Sequence, residues 1–442
     1  MKNESKKNTE IITKALNDFF NQTVETHSIS LPKFISSMEK VFTETGYRGE
    51  TPGKQTNILI LHDAGVGDFI MMTGAIREIR RLYPTAHITL AIFPTSMSLA
   101  EFCPYVDEVV IKPRAERWFQ FQSYFPHNIK ILPPYLEKKF DICFNFARWS
   151  ESYFFAYMCG ARVRISYDYP DKEKDFMPLE GDVPITIAAN LSTMLVPRYR
   201  FGKHMADISF SLVDNLLQAP VTNRELEIWY SPLDITLAKN ILKDVKGKVY
   251  ALCMGGAAPR KMYPPEMYAK VVEMILDAEP DTTFVILGGG KPDLDAVEVF
   301  KKNLPEKYHK NFLNVVGKAN YRQSGAILKF CDMYIGNDTG PIHMAAIAKC
   351  PVLEPNCFSA DIPFHETDSP KLWYPYKVPV VIIQPKHALP ECFSTDKTHN
   401  HYGCKSPKSH CITQIKPETV FKGFKLLKKR IAENNIEPMF MS

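Results

Sequence analysis

The sequence predicts an α/β protein in which two Rossmann-like domains face each other across a cleft, preceded by a helical extension. Two alternating series carry this reading. Between residues 57 and about 165, short apolar runs (NILILH, HITLAIF, DEVVI, FDICFNF) alternate with amphipathic ones such as GDFIMMTGAIREIRRLYP. A second series opens near 248 with KVYALCM and continues through TTFVILGGG, FLNVVG, MYIGND and CPVLEP. Strand-sized runs separated by helix-sized ones signal a parallel sheet with crossover helices. Ahead of both series, Ile11, Ile12, Ala15, Leu16, Phe19 and Phe20, then Phe34, Met38, Val41 and Phe42, recur at helical spacing with no strand signal. These boundaries divide the chain into a helical extension (1–52), an N-terminal Rossmann-like domain (53–240), a C-terminal Rossmann-like domain (241–415) with a cysteine-rich segment at 355–415, and a C-terminal helix (416–442). The stretch 166–245 reads as less regular, and the basic run FKGFKLLKKRIAE is expected to form a surface helix packing across the domains.

Composition narrows the function. A chain of 442 residues, 45% hydrophobic, buries a sizeable core. Its 54 basic and 49 acidic residues leave a net charge of +5, too mild to demand nucleic acid and no bar to an anionic substrate. The N-terminus MKNESKKNTE has no apolar region behind it, and no run reaches the ~18 apolar residues of a membrane span. A cytoplasmic location is expected. Cys103, Cys143, Cys159, Cys253, Cys331 and Cys350 lie in or beside apolar runs and read as buried reduced thiols.

Four motifs carry chemistry. In LHDAGVGDFI the strand NILIL empties into a turn with Gly65 and Gly67, and Asp68 stands at the start of the next helix. A dinucleotide fingerprint needs a third glycine where Ile70 stands, and no acid follows HITLAIF, so a nicotinamide site does not fit. The glycines let a substrate approach the backbone; Asp68 is either a favourable charge at the helix dipole or an acid aimed at the cleft. In CMGGAAPRKMYPPEMYAKV a small-residue loop that includes Gly256 carries Arg260 and Lys261, and a helix opens behind Pro264 and Pro265. Amides, helix N-terminus and lysine together suit a diphosphate, although a solvated loop reads equally well. In FVILGGGKPDLDAV, Gly288, Gly289 and Gly290 allow a nucleotide close, with Asp293 or Asp295 capping the helix or bonding a ribose. In YIGNDTGPIHMAAIAKC, residues Asn337, Asp338 and Thr339 precede a helix beginning at Gly340 and Pro341, with His343 in its first turn. This is a second anion-facing helix start.

Taken in order, GVGDFIMMTGAIREIRRLYP, RKMYPPEMYAKV and GNDTGPIHMAAI resemble glycosyltransferase family 9, the ADP-heptose heptosyltransferases, over roughly residues 57–430. The resemblance implies a GT-B fold and inverting transfer with no cofactor or metal in catalysis. By position, Asp68 matches the general base on the acceptor hydroxyl, with Gly65 and Gly67 forming the acceptor-side loop. Lys261 matches the lysine that holds the donor diphosphate, and Asp338, Thr339, Gly340 and His343 match the turn that contacts donor phosphate and sugar. Two departures stand out. The family commonly places hydroxyl residues before the lysine, where this chain reads GGAAPRK, so backbone amides or Arg260 must do more. Gly290 replaces the acid that often holds the ribose, leaving Asp293 as substitute. An aspartate at a helix N-terminus is a weak base, so it takes its proton late, as the glycosidic bond forms.

Cys357, Cys392, Cys404 and Cys411 are spaced too widely for a paired finger, yet four thiols in a loop-rich cytoplasmic segment suit a tetrahedral metal site better than disulfides. A family subgroup, which includes protein O-heptosyltransferases acting on autotransporter adhesins, carries a similar set that holds iron. The expectation is a structural iron or zinc, with four ordinary thiols as the alternative and His399, His401 or His410 as substitutes for a cysteine ligand. The acceptor expected first is the lipopolysaccharide core, the commoner one in the family, with the basic helix 421–430 touching an anionic inner-membrane surface. A protein hydroxyl on an exported adhesin is the alternative, and the N-terminal extension would then mediate homo-oligomer assembly. A catalytically silent nucleotide-sugar-binding protein is the rival from another class.

Overall fold

The computed structural model describes residues 2–26, 31–46, 55–112, 130–147, 150–168, 188–198, 203–214, 220–256, 258–361, 370–389 and 409–442. Helices α1 (Lys2–Thr26) and α2 (Leu31–Glu44) form the N-terminal extension. They pair through Ile12, Leu16, Met38 and Phe42, all buried. Phe42 meets Tyr157 edge to face at 6.0 Å and Tyr157 donates a 2.9 Å bond to Glu39, so the extension is docked on the body of the protein.

The first sheet contains β1 (Asn57–Leu61), β2 (His87–Ile92), β3 (Glu108–Ile111), β4 (Ile142–Asn145), β5 (Val163–Asp168) and β6 (Met194–Pro197), in the order β3-β2-β1-β4-β5-β6. All its pairings are parallel. Around it stand α3 (Val66–Leu82), α4 (Ser150–Met158) and α5 (Met205–Asp214). The stretch read as irregular holds β6 and α5. Its strand escaped notice because it is a four-residue edge strand with three exposed positions, which leaves no apolar alternation to read. Helix α6 (Pro232–Leu242) leads out of this half, started by a capping box in which Ser231 and Asp234 exchange bonds.

The second sheet contains β7 (Lys248–Cys253), β8 (Thr282–Ile286), β9 (Phe312–Asn314), β10 (Met333–Gly336), β11 (Val352–Pro355), β12 (Val380–Ile383) and β13 (Met439–Met441), in the order β13-β12-β11-β10-β7-β8-β9. Its helices are α7 (Pro265–Ala278), α8 (Lys291–Asn303), α9 (Tyr321–Leu328), α10 (Gly340–Ile347) and α11 (Pro417–Ala432). Helix α11, expected to pack across the domains, lies on β11, β12 and α7 of the second half. Gly423 makes the fit: a Cβ there would sit 2.7 Å from the Ile383 side chain. The chain then adds β13 to the sheet edge, in register with β12. Among the described residues no helix is long and apolar enough to cross a membrane.

In each sheet the strand order reverses at one place, beside β1 in the first and between β10 and β7 in the second. Crevices at the carboxyl ends of strands around such points are where open α/β sheets bind ligands. Arg322 of α9 ties the halves together. Its guanidinium donates to Asp234 at 2.6 Å, to Glu101 at 2.5 Å and to the Ser98 carbonyl at 2.9 Å, and stacks over Phe102. Lys349 and Lys377 add pairs to Glu225, each at 2.8 Å.

Candidate active site

The turn after β1 places Asp68 third in α3. Gly65 is the N-cap, in extended conformation, and its position lacks a side-chain cap bond. Asp68 lines a cleft that opens to solvent, beside His62, Met71, Met72 and Phe146. Tyr167, Arg198, Met205 and Ser209 close the far wall, and Trp373 reaches in from the second half. Apart from Asp68 and Arg198 the lining is largely thioether and aromatic, surfaces that pack against the apolar face of a substrate. Arg198 is buried and stacks on Tyr167, 5.0 Å from its centroid.

Across the cleft, three loops of the second half converge because their strands are neighbours. Gly336 at the end of β10 pairs with Cys253 at the end of β7, which brings the Lys261 and Asp338 loops together. Lys261 donates to Asp338 at 2.8 Å, with 19% and 11% of the side chains exposed. Arg260 lies in the same short 3₁₀ turn, Pro259–Lys261. Gly256 permits close approach of Thr339, whose methyl would lie 2.9 Å from a Cβ there. Gly290, at φ 88°, caps α8 in a conformation that favours glycine. Asp293 accepts a 2.6 Å bond from the Gly289 amide and fills the space over Gly255 and Gly288, so it closes the glycine loop from inside. Burial holds its carboxyl above the usual range despite that bond.

Asn337 does not present itself to a ligand as the sequence suggested. Fully buried, it accepts from the Tyr263 amide (2.9 Å) and the Tyr268 hydroxyl (2.8 Å) and donates to the carbonyls of Met254 (2.7 Å) and Gly255 (3.2 Å). With these bonds it braces the turn that carries Asp338, Thr339 and Gly340. His343 is buried in the first turn of α10, against the Gly67 backbone. Burial outweighs the fields of Asp338 and Asp68 and lowers its pKa to about 4, leaving a neutral imidazole between two carboxylates.

Two buried groups near these turns escaped the sequence reading. Asp63, two residues after β1, binds Lys112 (2.6 Å) and Ser152, with 4% and 1% of the Asp63 and Lys112 side chains exposed. Glu354, at the end of β11 and bonded by Asn356, lies in the fields of Asp338 and Lys261; burial and Asp338 hold it well above the usual carboxylate range. No local pattern announces Asp63, since Lys112 and Ser152 stand 49 and 89 residues away, whereas Glu354 is bonded within its own turn and its burial comes from the sheet around it.

Of the metal set, Cys392 and Cys404 lie outside the described residues, as do His399 and His401. Cys411 is buried; its sulfur accepts the Leu389 N–H at 3.3 Å and lies 3.4 Å from His410 Nδ1. Cys357 is half-buried. Among the described residues no group of three or more metal-ligating side chains assembles, and no disulfide forms. The segment nevertheless touches the donor loop, because Ser409 donates to the Met262 carbonyl (2.6 Å) and Tyr263 to that of Ile415 (2.9 Å). Five of the six thiols in apolar runs are buried and Cys331 is half-buried; desolvation raises Cys103 and Cys331 to about 12.

Two parallel α/β halves with an acid at one crevice and a lysine–aspartate pair at the other define a GT-B glycosyltransferase. Residues 135–355, half of the chain, match the family model for glycosyltransferase family 9 (heptosyltransferase), and the chain belongs to that family. It is 22% identical over 304 residues to lipooligosaccharide heptosyltransferase 2 of Haemophilus influenzae, covering 67% of this chain and 82% of that one. It is likewise 22% identical over 298 residues to lipopolysaccharide heptosyltransferase 3 of Escherichia coli, covering 65% and 79%. The fold matches the family 9 glycosyl transferase from Veillonella parvula with a TM-score of 0.60 at 18% identity, over 86% of this chain and 99% of the other. It also matches E. coli ADP-heptose LPS heptosyltransferase II with a TM-score of 0.58 at 17% identity, over 86% and 100%.

Proposed function

We propose that this glycosyltransferase moves heptose from ADP-heptose, with inversion, onto a lipopolysaccharide core hydroxyl. The observation that carries the reading is the opposition of Asp68 in its cleft to the Lys261–Asp338 pair on the other half. The acceptor oxygen attacks the anomeric carbon from the Asp68 side as the bond from that carbon to the diphosphate oxygen breaks. The acceptor's proton passes to the Asp68 carboxylate, and from there to solvent. Charge growing on the departing ADP is met by Lys261, Arg260 and the amides at the start of α10. Gly256, Gly288 and Gly289 let the nucleotide approach the backbone, and Asp293 sits within the loop that would face the ribose. The names of the relatives, heptosyltransferases of lipopolysaccharide and lipooligosaccharide, support the donor and this acceptor.

A protein hydroxyl is the second reading, favoured by the thioether and aromatic lining around Asp68, which suits a polypeptide side chain. For the cysteines, the reading is a structural iron or zinc on Cys357, Cys392, Cys404 and Cys411, four soft sulfur ligands that suit either metal. The metal would cross-link the segment behind the Lys261 loop and take no part in transfer. We place the enzyme in the cytoplasm, with the exposed Lys422, Lys425 and Lys429 of α11 facing an anionic membrane surface, and with the α1–α2 extension available for self-assembly.

ADP release from ADP-heptose, with a lipopolysaccharide-core acceptor in one arm and an adhesin polypeptide in the other, tests the reading in wild type and Asp68→Ala. Release with the core acceptor that vanishes in Asp68→Ala is expected. Transfer to the polypeptide alone would move the assignment to the second reading, and inactivity in both arms would end both. Elemental analysis of protein purified without chelator tests the metal, whose absence would remove it.

A further inference from the structure

Helices α3 and α10, one from each half, meet at their N-termini. A Cβ at Gly340 would lie 2.8 Å from Val66 Cγ1 and 3.0 Å from Val66 Cβ, with the Gly67 amide nitrogen at 3.7 Å. A Cβ at Gly67 would lie 2.9 Å from His343 Cδ2 and 3.9 Å from the Gly340 Cα. Neither glycine has a positive φ, in contrast to Gly290, so backbone conformation does not demand glycine at these positions. Close approach does. Val66 is itself buried, with 8% of its surface exposed, two residues ahead of Asp68 on the same helical turn.

We propose that Val66 and Gly340 form the stop at which the two halves close, and so fix how far Asp68 stands from the donor's anomeric carbon. Both are positioning residues, and the role rests on the reading of Asp68 as base and of the Gly340 turn as donor-facing. A side chain at position 340 would push the halves apart by up to ~1 Å, the shift that restores ordinary contact distance to Val66, while leaving the backbone amide that faces the diphosphate. Donor binding would survive and transfer would suffer, since a misplacement of ~1 Å costs about 10²-fold in rate.

The test measures ADP affinity, turnover and ADP-bound solution scattering in Gly340→Ala, Val66→Ala and the double variant. Gly340→Ala is expected to bind ADP within about two-fold of wild type, to lose about 10²-fold in turnover and to show a larger radius of gyration. Adding Val66→Ala, which deletes Cγ1, should recover most of the turnover and the wild-type radius. If ADP affinity instead falls with turnover and the second substitution recovers nothing, Gly340 serves the phosphate directly and the proposal is overturned. Should Gly340→Ala fail to fold, Val66→Phe wedges the same contact from the acceptor side. Retained ADP affinity with reduced turnover then supports the proposal, and wild-type turnover overturns it. The scattering and ADP arms need no acceptor, so they stand even if heptose transfer itself is refuted.

Discussion

In the first half, Asp63, Lys112 and Ser152 close on one another away from water, whereas in the second half Lys261 and Asp338 form the same kind of ion pair at the edge of the cleft. Both pairs stand just past the carboxyl ends of strands near a reversal of sheet order. The buried pair serves structure: it anchors the turn that carries Asp68, which shares its largely thioether and aromatic cleft with Arg198. The cleft-edge pair keeps both charges in reach of solvent, as the proposed capture of a diphosphate by Lys261 requires. One architecture thus yields a buried ion pair behind one crevice and a partly exposed one at the edge of the other.

Substitution of the two charges that face the cleft tests this division most severely. Asp68→Asn should lower turnover by about 10³-fold, within the range for loss of a general base, and leave ADP affinity unchanged. Lys261→Met should weaken ADP binding itself, read by calorimetry. Weakened ADP binding in Asp68→Asn, or its preservation in Lys261→Met, would break the contrast between the halves.

Next in size is the effect on folding. Lys112→Met leaves Asp63 as an uncompensated buried carboxylate and should destabilise by about 3–5 kcal/mol in chemical denaturation. Pairing it with Asp63→Leu should recover most of that loss, because replacing both partners removes the stranded charge. Lys261→Met strands no such charge, since Asp338 remains in reach of solvent, and should shift stability far less.

The same contrast explains what could be read from sequence. Two facing α/β halves and the family were legible, because periodic apolar runs and short turns are local signals: Gly65, Gly67 and Asp68 lie within four residues, and Asn337 to His343 within seven. Lys261 and Asp338 were each assigned to the donor from their own loops, and the pairing of β7 with β10 brings them together at 2.8 Å. Asn337 was misread because a polar residue in a polar turn looks exposed, whereas its bonds reach the backbone after β7 and a tyrosine on α7. Lys112, Ser152 and Arg322 went unnoticed for the same reason. Their partners are set by strand order and by the contact between halves, which no short window contains.

Acidity separates the regions by sign. His204, at the junction of the halves, accepts the Ala206 amide at Nδ1 (3.1 Å) and donates from Nε2 to the Tyr374 carbonyl (2.7 Å), which fixes a neutral ring. Burial lowers its pKa to about 3, below the ordinary 6.5. The folded state therefore binds fewer protons than the unfolded one, and stability present above pH 6.5 is lost as pH falls toward 3. Glu354 is shifted the other way, so its contribution is full below its ordinary 4.5 and is lost as pH rises through its raised value. Denaturation midpoints against pH should show His204→Phe flattening the acid limb and Glu354→Gln raising stability toward neutral and alkaline pH. An unchanged limb in either variant would contradict the assigned protonation state.

The smallest effect belongs to a pair that resembles the others only on paper. Lys291 and Asp295 meet at 2.8 Å on α8, one helical turn apart, with 83% and 62% of their side chains exposed. Water screens both charges, and holding two long side chains in one geometry costs entropy that offsets the attraction. Lys291→Ala should change unfolding free energy by less than about 0.5 kcal/mol, and that small change should fade in high salt. Arg322→Ala is the control, since it removes a guanidinium bonded to Asp234, Glu101 and the Ser98 carbonyl and strands the buried Asp234. It should cost several-fold more, with little response to salt. Equal losses in the two variants would mean that burial does not govern the strength of ion pairs in this protein, and the comparison between its buried and exposed pairs would lose its physical basis.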